Sequence, residues 1–149
     1  MAGELQMVGF RVGQQSYALP IATVREIVRP PEITAVPQAP EHVAGVMNLR
    51  GRILPVVDLR KRFGQPVASS SKNRVLVIEM DGKLIGLLVD AASEVLKISP
   101  EAMEPSPRLF GENNERYVTG IARHLGRLVI LLDPDKLLPE RERAEAALA

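Results

Sequence analysis

Cysteine and tryptophan are both absent from this 149-residue chain, Phe occurs three times and Tyr twice. Without Cys there are no disulfides, thiolate metal sites or Cys nucleophiles, which suits a reducing compartment. Without Trp, and with aromatics at 3%, the stacking platform that holds single-stranded nucleic acid is nearly missing. An excess of charge of one sign is lacking too: 19 Lys and Arg stand against 18 Asp and Glu, so neither an acidic nor a basic partner is demanded. No apolar run approaches the roughly 18 residues of a membrane span, and Met1-Ala2-Gly3-Glu4 carries no basic secretion signal. These absences point to a cytoplasmic protein that does not insert into membranes.

The inventory for catalysis is equally thin. His42 and His124 are the only histidines, and no Ser lies in a Gly-x-Ser-x-Gly strand-turn-helix context. Gly82, Gly86, Gly111, Gly120 and Gly126 are scattered singly, which fits hairpins and bulges and builds no phosphate loop. Asp58, Asp81, Asp90 and Asp133 lie at the ends of apolar runs, where an Asp commonly caps a turn or helix, and Asp133-Pro134 reads as an N-cap followed by Pro at the first helical position. No nucleophile, metal cluster or cofactor site is legible. The expectation is a protein that is no enzyme and needs no cofactor or metal.

What is present is apolar runs of about five to eight residues, rich in Val, Ile and Leu and separated by turn residues. Strands are expected at Met7 to Val12, Ser16 to Leu19, Ile33 to Val36, Val43 to Leu49, Arg52 to Leu59, Arg74 to Met80, Leu84 to Val89, Glu94 to Ile98, Tyr117 to Ala122 and Arg127 to Leu132. Asp81-Gly82 fits a type I′ hairpin, and Arg50-Gly51 sits tightly between two runs. Most pairing is therefore expected to be antiparallel. A polar stretch, Ser69-Ser70-Ser71-Lys72-Asn73, reads as a linker, and Pro139 to Ala147 as a C-terminal helix with little apolar face.

The two halves repeat one another. Val8 to Val12 aligns with Leu76 to Met80, and Arg25-Glu26-Ile27-Val28 with Ser93-Glu94-Val95-Leu96, each 68 residues on. The offset then becomes 75, which places about seven extra residues near Leu109 to Glu115; Val43 to Val46 meets Val118 to Ile121, and Gly51 to Asp58 meets Gly126 to Asp133. Two related units of about five strands each imply two small barrels sharing a core. Consecutive apolar positions such as Val75-Leu76-Val77-Ile78 require that both faces of those strands be covered.

Five cations lie between Arg50 and Arg62. Arg60-Lys61-Arg62 reads as a solvated run at a helix C-terminus before Gly64. Arg50 differs, because at a tight turn its guanidinium can anchor a carboxylate or carbonyls across an interface.

The run Val43-Ala44-Gly45-Val46-Met47-Asn48-Leu49-Arg50-Gly51-Arg52-Ile53-Leu54-Pro55-Val56-Val57-Asp58-Leu59-Arg60 resembles the core motif of the CheW-like family, the bacterial chemotaxis coupling proteins. The likeness extends to Phe10, Tyr17 to Ile21, Val24 to Ile27, Pro37, Ala39-Pro40, Gly86 to Asp90, Tyr117, Gly120 and Leu131 to Asp133, covering about residues 5 to 139.

The resemblance implies an all-β fold of two intertwined SH3-like five-stranded β-barrels with short helices. It implies one domain, with a first lobe of about 14–66 and a second of about 1–13 plus 73–139. It further implies a non-catalytic adaptor, recruited to membrane-bound receptor arrays, that bridges the cytoplasmic tip of methyl-accepting chemoreceptors and the regulatory domain of a CheA-type histidine kinase.

Receptor binding, carried onto matching positions, falls on Val24, Glu26, Gly45, Asn48 and Arg50, and kinase binding on Arg52 and Ile53. Packing is the competing role for Val24 and Ile53, and close strand approach for Gly45. With no phosphotransfer, ATP-binding or receiver segment in the sequence, the stand-alone coupling protein is the expected form. The alternatives are a coupling protein of a system controlling pili or surface behaviour, and an SH3-like barrel that binds nucleic acid. A proline-peptide binder ranks last, because so few aromatics cannot line its groove.

Overall fold

The computed structural model describes residues 4–104 and 117–137. The expected insertion near Leu109 to Glu115 and the expected C-terminal helix from Pro139 lie outside the described residues. The strands are β1 (Leu5–Val12), β2 (Gln15–Pro20), β3 (Val24–Val28), β4 (Val43–Leu49), β5 (Arg52–Asp58), β6 (Arg74–Met80), β7 (Lys83–Val89), β8 (Ala91–Ile98), β9 (Met103–Glu104), β10 (Val118–His124) and β11 (Arg127–Leu132). One-turn helices α1 (Leu59–Arg62) and α2 (Pro134–Leu137) follow β5 and β11.

Turn chemistry explains the hairpins. Arg50-Gly51, Asp81-Gly82 and Leu125-Gly126 all have positive φ at both residues, as a two-residue type I′ loop requires. Arg50 thus takes a left-handed backbone beside Gly51. Two sequence expectations differ from the fold. Ile33 to Val36 forms no strand, only an isolated bridge from Thr34 to Val46, because Pro30, Pro31 and Pro37, which cannot donate to a ladder, flank the segment and stop the pairing from extending. Strand β3 was visible only through the repeat, since its short run alternates exposed with half-buried residues.

The strands form two sheets, ordered β8-β1-β2-β11-β10-β9 and β3-β6-β7-β5-β4. The repeat offsets make β1, β2, β8, β10 and β11 the counterparts of β6, β7, β3, β4 and β5, so the two orders are the same order. Hairpins are exchanged between halves: β1-β2 joins the second half's strands, and β6-β7 joins those of the first. The exchange is sealed by the parallel pairs in an otherwise antiparallel fold, β2 with β11 and β5 with β7. Even the register is repeated, Leu131 facing Ala18 as Val56 faces Gly86.

Burial follows from the same exchange. One cluster, including Met7, Leu96, Ala122, Val129 and Leu131, fills the six-stranded sheet, and its counterpart, including Val75, Met47, Leu54 and Val56, fills the five-stranded sheet. The largest cluster, with Val8, Phe10, Leu19, Leu59, Leu76, Ile78 and Leu132, joins the two sheets. A row of stacked rings runs through this junction: Phe10 on Tyr17, Tyr17 on Phe63 and Phe63 on Tyr117, with centroids 5.9, 4.9 and 5.5 Å apart. Two-sided burial accounts for the unbroken apolar strands.

Reading Arg60-Lys61-Arg62 as solvated is correct only for Lys61. Asp58 caps α1 by accepting from the Arg60 backbone N–H at 2.9 Å, and this turns the Arg60 side chain inward, where it is 3% exposed. Its Nε and Nη2 donate to Asp58 Oδ1 and Oδ2 at 3.0 and 3.1 Å, and its Nη1 donates to the Ala68 carbonyl at 2.7 Å and Asp90 Oδ1 at 3.3 Å. Asp90 Oδ2 in turn accepts from the Gly13 N–H at 2.7 Å. Burial disfavours the Arg60 charge, but Asp58 and then Asp90 outweigh it and raise the pKa. Arg62 lies over the Tyr117 ring at 5.6 Å and donates to the Leu137 carbonyl. The expected Asp133 cap is present, its Oδ1 accepting from the Asp135 N–H at 3.0 Å.

Candidate functional site

Strands β3 and β4 are opposite edges of the five-stranded sheet, yet Glu26 and Arg50 meet across them. Arg50 Nη1 donates to Glu26 Oε2 and Nη2 to Oε1, both at 2.7 Å, a bidentate fork. The sheet is therefore curled until its edges approach, and this pair clasps the open seam. Arg50 is 72% exposed and Glu26 29%. The hydrogen bond from Arg50, opposed by a little desolvation and helped by its charge, holds the Glu26 carboxyl below its usual range.

Local backbone irregularities put these groups where they are. A bulge between Val24 and Glu26 lets Val24 pack on the joint core while Glu26 reaches Arg50; Arg25, between them, pairs with Glu79 on β6. A second bulge, between Val43 and Gly45, draws the Thr34 bridge against β4. Gly45 has φ +149°, and a Cβ there would sit 2.1 Å from the Thr34 carbonyl oxygen. Gly120, its counterpart, likewise lies under the Glu104 carbonyl. Asn48 Oδ1 accepts from the Gly51 N–H at 2.8 Å and so braces the turn that carries Arg50.

The residues expected to bind partners divide accordingly. Glu26, Asn48, Arg50, Arg52 and Ile53 gather around the β4-β5 hairpin tip, where Asn48 faces Ile53 and Leu49 faces Arg52 across the ladder. Ile53 is 61% exposed, far more than core packing would leave it. Val24 is half-buried and Gly45 is buried, so they shape the surface from beneath. Sequence reasoning missed Pro31, Glu32 and Thr34, which line a shallow hollow of about 290 Å³ with Asn48 and Ile53. The signal was the proline pair preceding Thr34. Among the described residues no group of three or more His, Asp or Glu is placed to hold a metal, and no helix is long and apolar enough to cross a membrane.

The CheW-like domain profile matches residues 6–142. The chain belongs to the CheW-like family. It is 34% identical over 145 residues to the chemotaxis protein CheW of Rhizobium meliloti (strain 1021), covering 97% of this chain and 94% of that protein. To the chemotaxis protein CheW of Helicobacter pylori (strain ATCC 700392 / 26695) it is 36% identical over 135 residues, covering 90% and 81%. The crystal structure of the scaffolding protein TtCheW from Thermoanaerobacter tengcongensis superposes with a TM-score of 0.84 at 34% identity, covering 93% of this chain and 95% of that one. The paired, hairpin-exchanged sheets are thus a CheW-like fold.

Proposed function

We propose that this CheW-like chain is a non-catalytic chemotaxis adaptor that couples methyl-accepting chemoreceptors to a CheA-type histidine kinase. It works in the cytoplasm at membrane-bound receptor arrays, as one domain of two lobes that exchange hairpins. Receptor contact is assigned to the Arg50-Glu26 clasp with Asn48, and to Val24 and Gly45 as the supports beneath it. Kinase contact is assigned to Arg52 and the exposed Ile53. The observation that carries the reading is a solvent-facing guanidinium-carboxylate fork joining the two edges of the sheet, next to an exposed isoleucine at the β4-β5 tip. Such a surface joins charge specificity to an apolar anchor.

The test is Arg50→Ala, measured for affinity to a receptor cytoplasmic hairpin and to the kinase regulatory domain, beside the melting temperature. Removing one partner of a hydrogen-bonded interface charge lowers affinity by about thirtyfold or more. That loss is expected for the receptor alone, with melting nearly unchanged. Ile53→Glu is expected to weaken the kinase and spare the receptor. Equal weakening of both partners by Arg50→Ala, together with a large drop in melting temperature, would make Arg50 structural and overturn the assignment.

A further inference from the structure

The internal repeat provides a control within the molecule. Five interior positions of the six-stranded sheet, Met7, Leu96, Ala122, Val129 and Leu131, are matched by Val75, Val28, Met47, Leu54 and Val56 in the five-stranded sheet. Three further positions are not matched in kind. Where the first barrel places Val77, Leu84 and Leu49 against its interior cluster, the second has Gly9, Ser16 and His124. Ala122, where the five-stranded sheet has Met47, leaves less side-chain volume. The result is a pocket of about 330 Å³ at the six-stranded sheet, in the range of small-ligand sites, whereas Val77, Leu84 and Leu49 pack on the interior cluster of the five-stranded sheet.

The lining is mixed in a directed way. Leu96 and Val129 give an apolar wall, Leu125, 87% exposed, stands at the rim, and Ser16, His124 and Arg127 supply polar groups. Among the described residues that line it there is no carboxylate. Ser16 carries a hydroxyl donor, His124 a ring N–H and Arg127 a permanent cation, a set suited to one anionic oxygen pair beside an apolar body.

We propose that the mouth of the second barrel is a binding site for a small organic monocarboxylate with a compact apolar body. The site lies in the other sheet from the Arg50-Glu26 clasp, and its occupancy does not depend on the adaptor reading.

The test is an amide-shift titration of the full chain with sodium benzoate, with benzyl alcohol as the neutral counterpart. Saturable benzoate shifts are expected at Gly9, Ser16, Leu96, Leu125 and Arg127, with benzyl alcohol about tenfold weaker or more. Arg127→Gln, at the exposed rim, is expected to fold normally and lose the preference for the acid. Ser16→Leu with His124→Leu, which copies the first barrel, is expected to abolish the shifts and raise the melting temperature. Non-saturating shifts, shifts spread over basic surface positions, equal binding of acid and alcohol, or retained binding in a folded double variant would each overturn the proposal.

Discussion

Replacing Arg60 by Met tests whether the buried charge network holds the chain together. Methionine keeps much of the apolar stem but removes the guanidinium, leaving Asp58 at 3% side-chain exposure without its cation and Asp90 and the Ala68 carbonyl without their shared donor. Breaking a buried ion pair from one side costs about 3–5 kcal/mol, because the remaining charge stays out of water. For a chain of this size that corresponds to a fall in melting temperature of roughly 6–20 °C. Thermal melts followed by far-ultraviolet circular dichroism would measure it, with Lys61→Met as the exposed control. Adding Asp58→Asn to Arg60→Met removes the stranded charge and is expected to recover part of the loss. If Arg60→Met melts within about 2 °C of the parent, the network contributes little and the argument from desolvation fails.

Gly45→Ala places a Cβ against the Thr34 carbonyl at a φ that side chains disfavour, so it is expected to open the Thr34-Val46 bridge and lower the melting temperature more than Gly82→Ala, whose Cβ meets nothing; equal effects would count against the close-approach argument. The Glu26 carboxyl is expected to titrate below 4.5 by carbon-detected NMR and to rise toward it in Arg50→Ala. Because its folded pKa is lowered, its stabilising contribution is present above that ordinary value and disappears as pH falls through the lowered one. Burial, then the neighbouring Tyr117, pushes the Tyr17 phenol up, and burial pushes up Tyr117 against the pull of Arg62. Ultraviolet titration is therefore expected to show both ionising above 10.0, with stability intact below that value and falling as pH climbs through the raised ones; ionisation at 10.0 in the folded protein would contradict the buried ring row.

Much of this architecture could be read from residue order. The 68 and 75 offsets pair the elements that the structure makes equivalent, and Val43 to Leu49 and Arg74 to Met80 are strands to the residue. What escaped depends on distance in sequence. Nothing in Leu5 to Pro20 announces that this hairpin pairs with β8 and β11, because local pattern records burial and not partner. Arg60 looked solvated because three adjacent cations normally are, and its burial is imposed by the Asp58 cap and by Asp90, thirty residues away. The Arg50 tip stood out by its turn, whereas the carboxylate it grips was identifiable only through the family likeness. Gly9, Ser16 and His124 become informative once each is set beside its repeat counterpart.

The hairpin exchange also sets a timetable for synthesis. Strands β1 and β2 leave the ribosome first, but the parallel partner of β2 ends at Leu132, so from Pro20 the pair waits for 112 residues, roughly 6–22 s at 5–20 residues per second. A lone hairpin is marginal in water and has open edges, so this nascent segment is the part of the chain most in need of a chaperone. The first half's β3, β4 and β5 are released sooner, once β6 and β7 emerge by Val89. A gene divided in the linker at Ser69 to Asn73 would therefore yield two fragments that each lack a hairpin and fold only on meeting, which makes this chain a natural candidate for a split reporter.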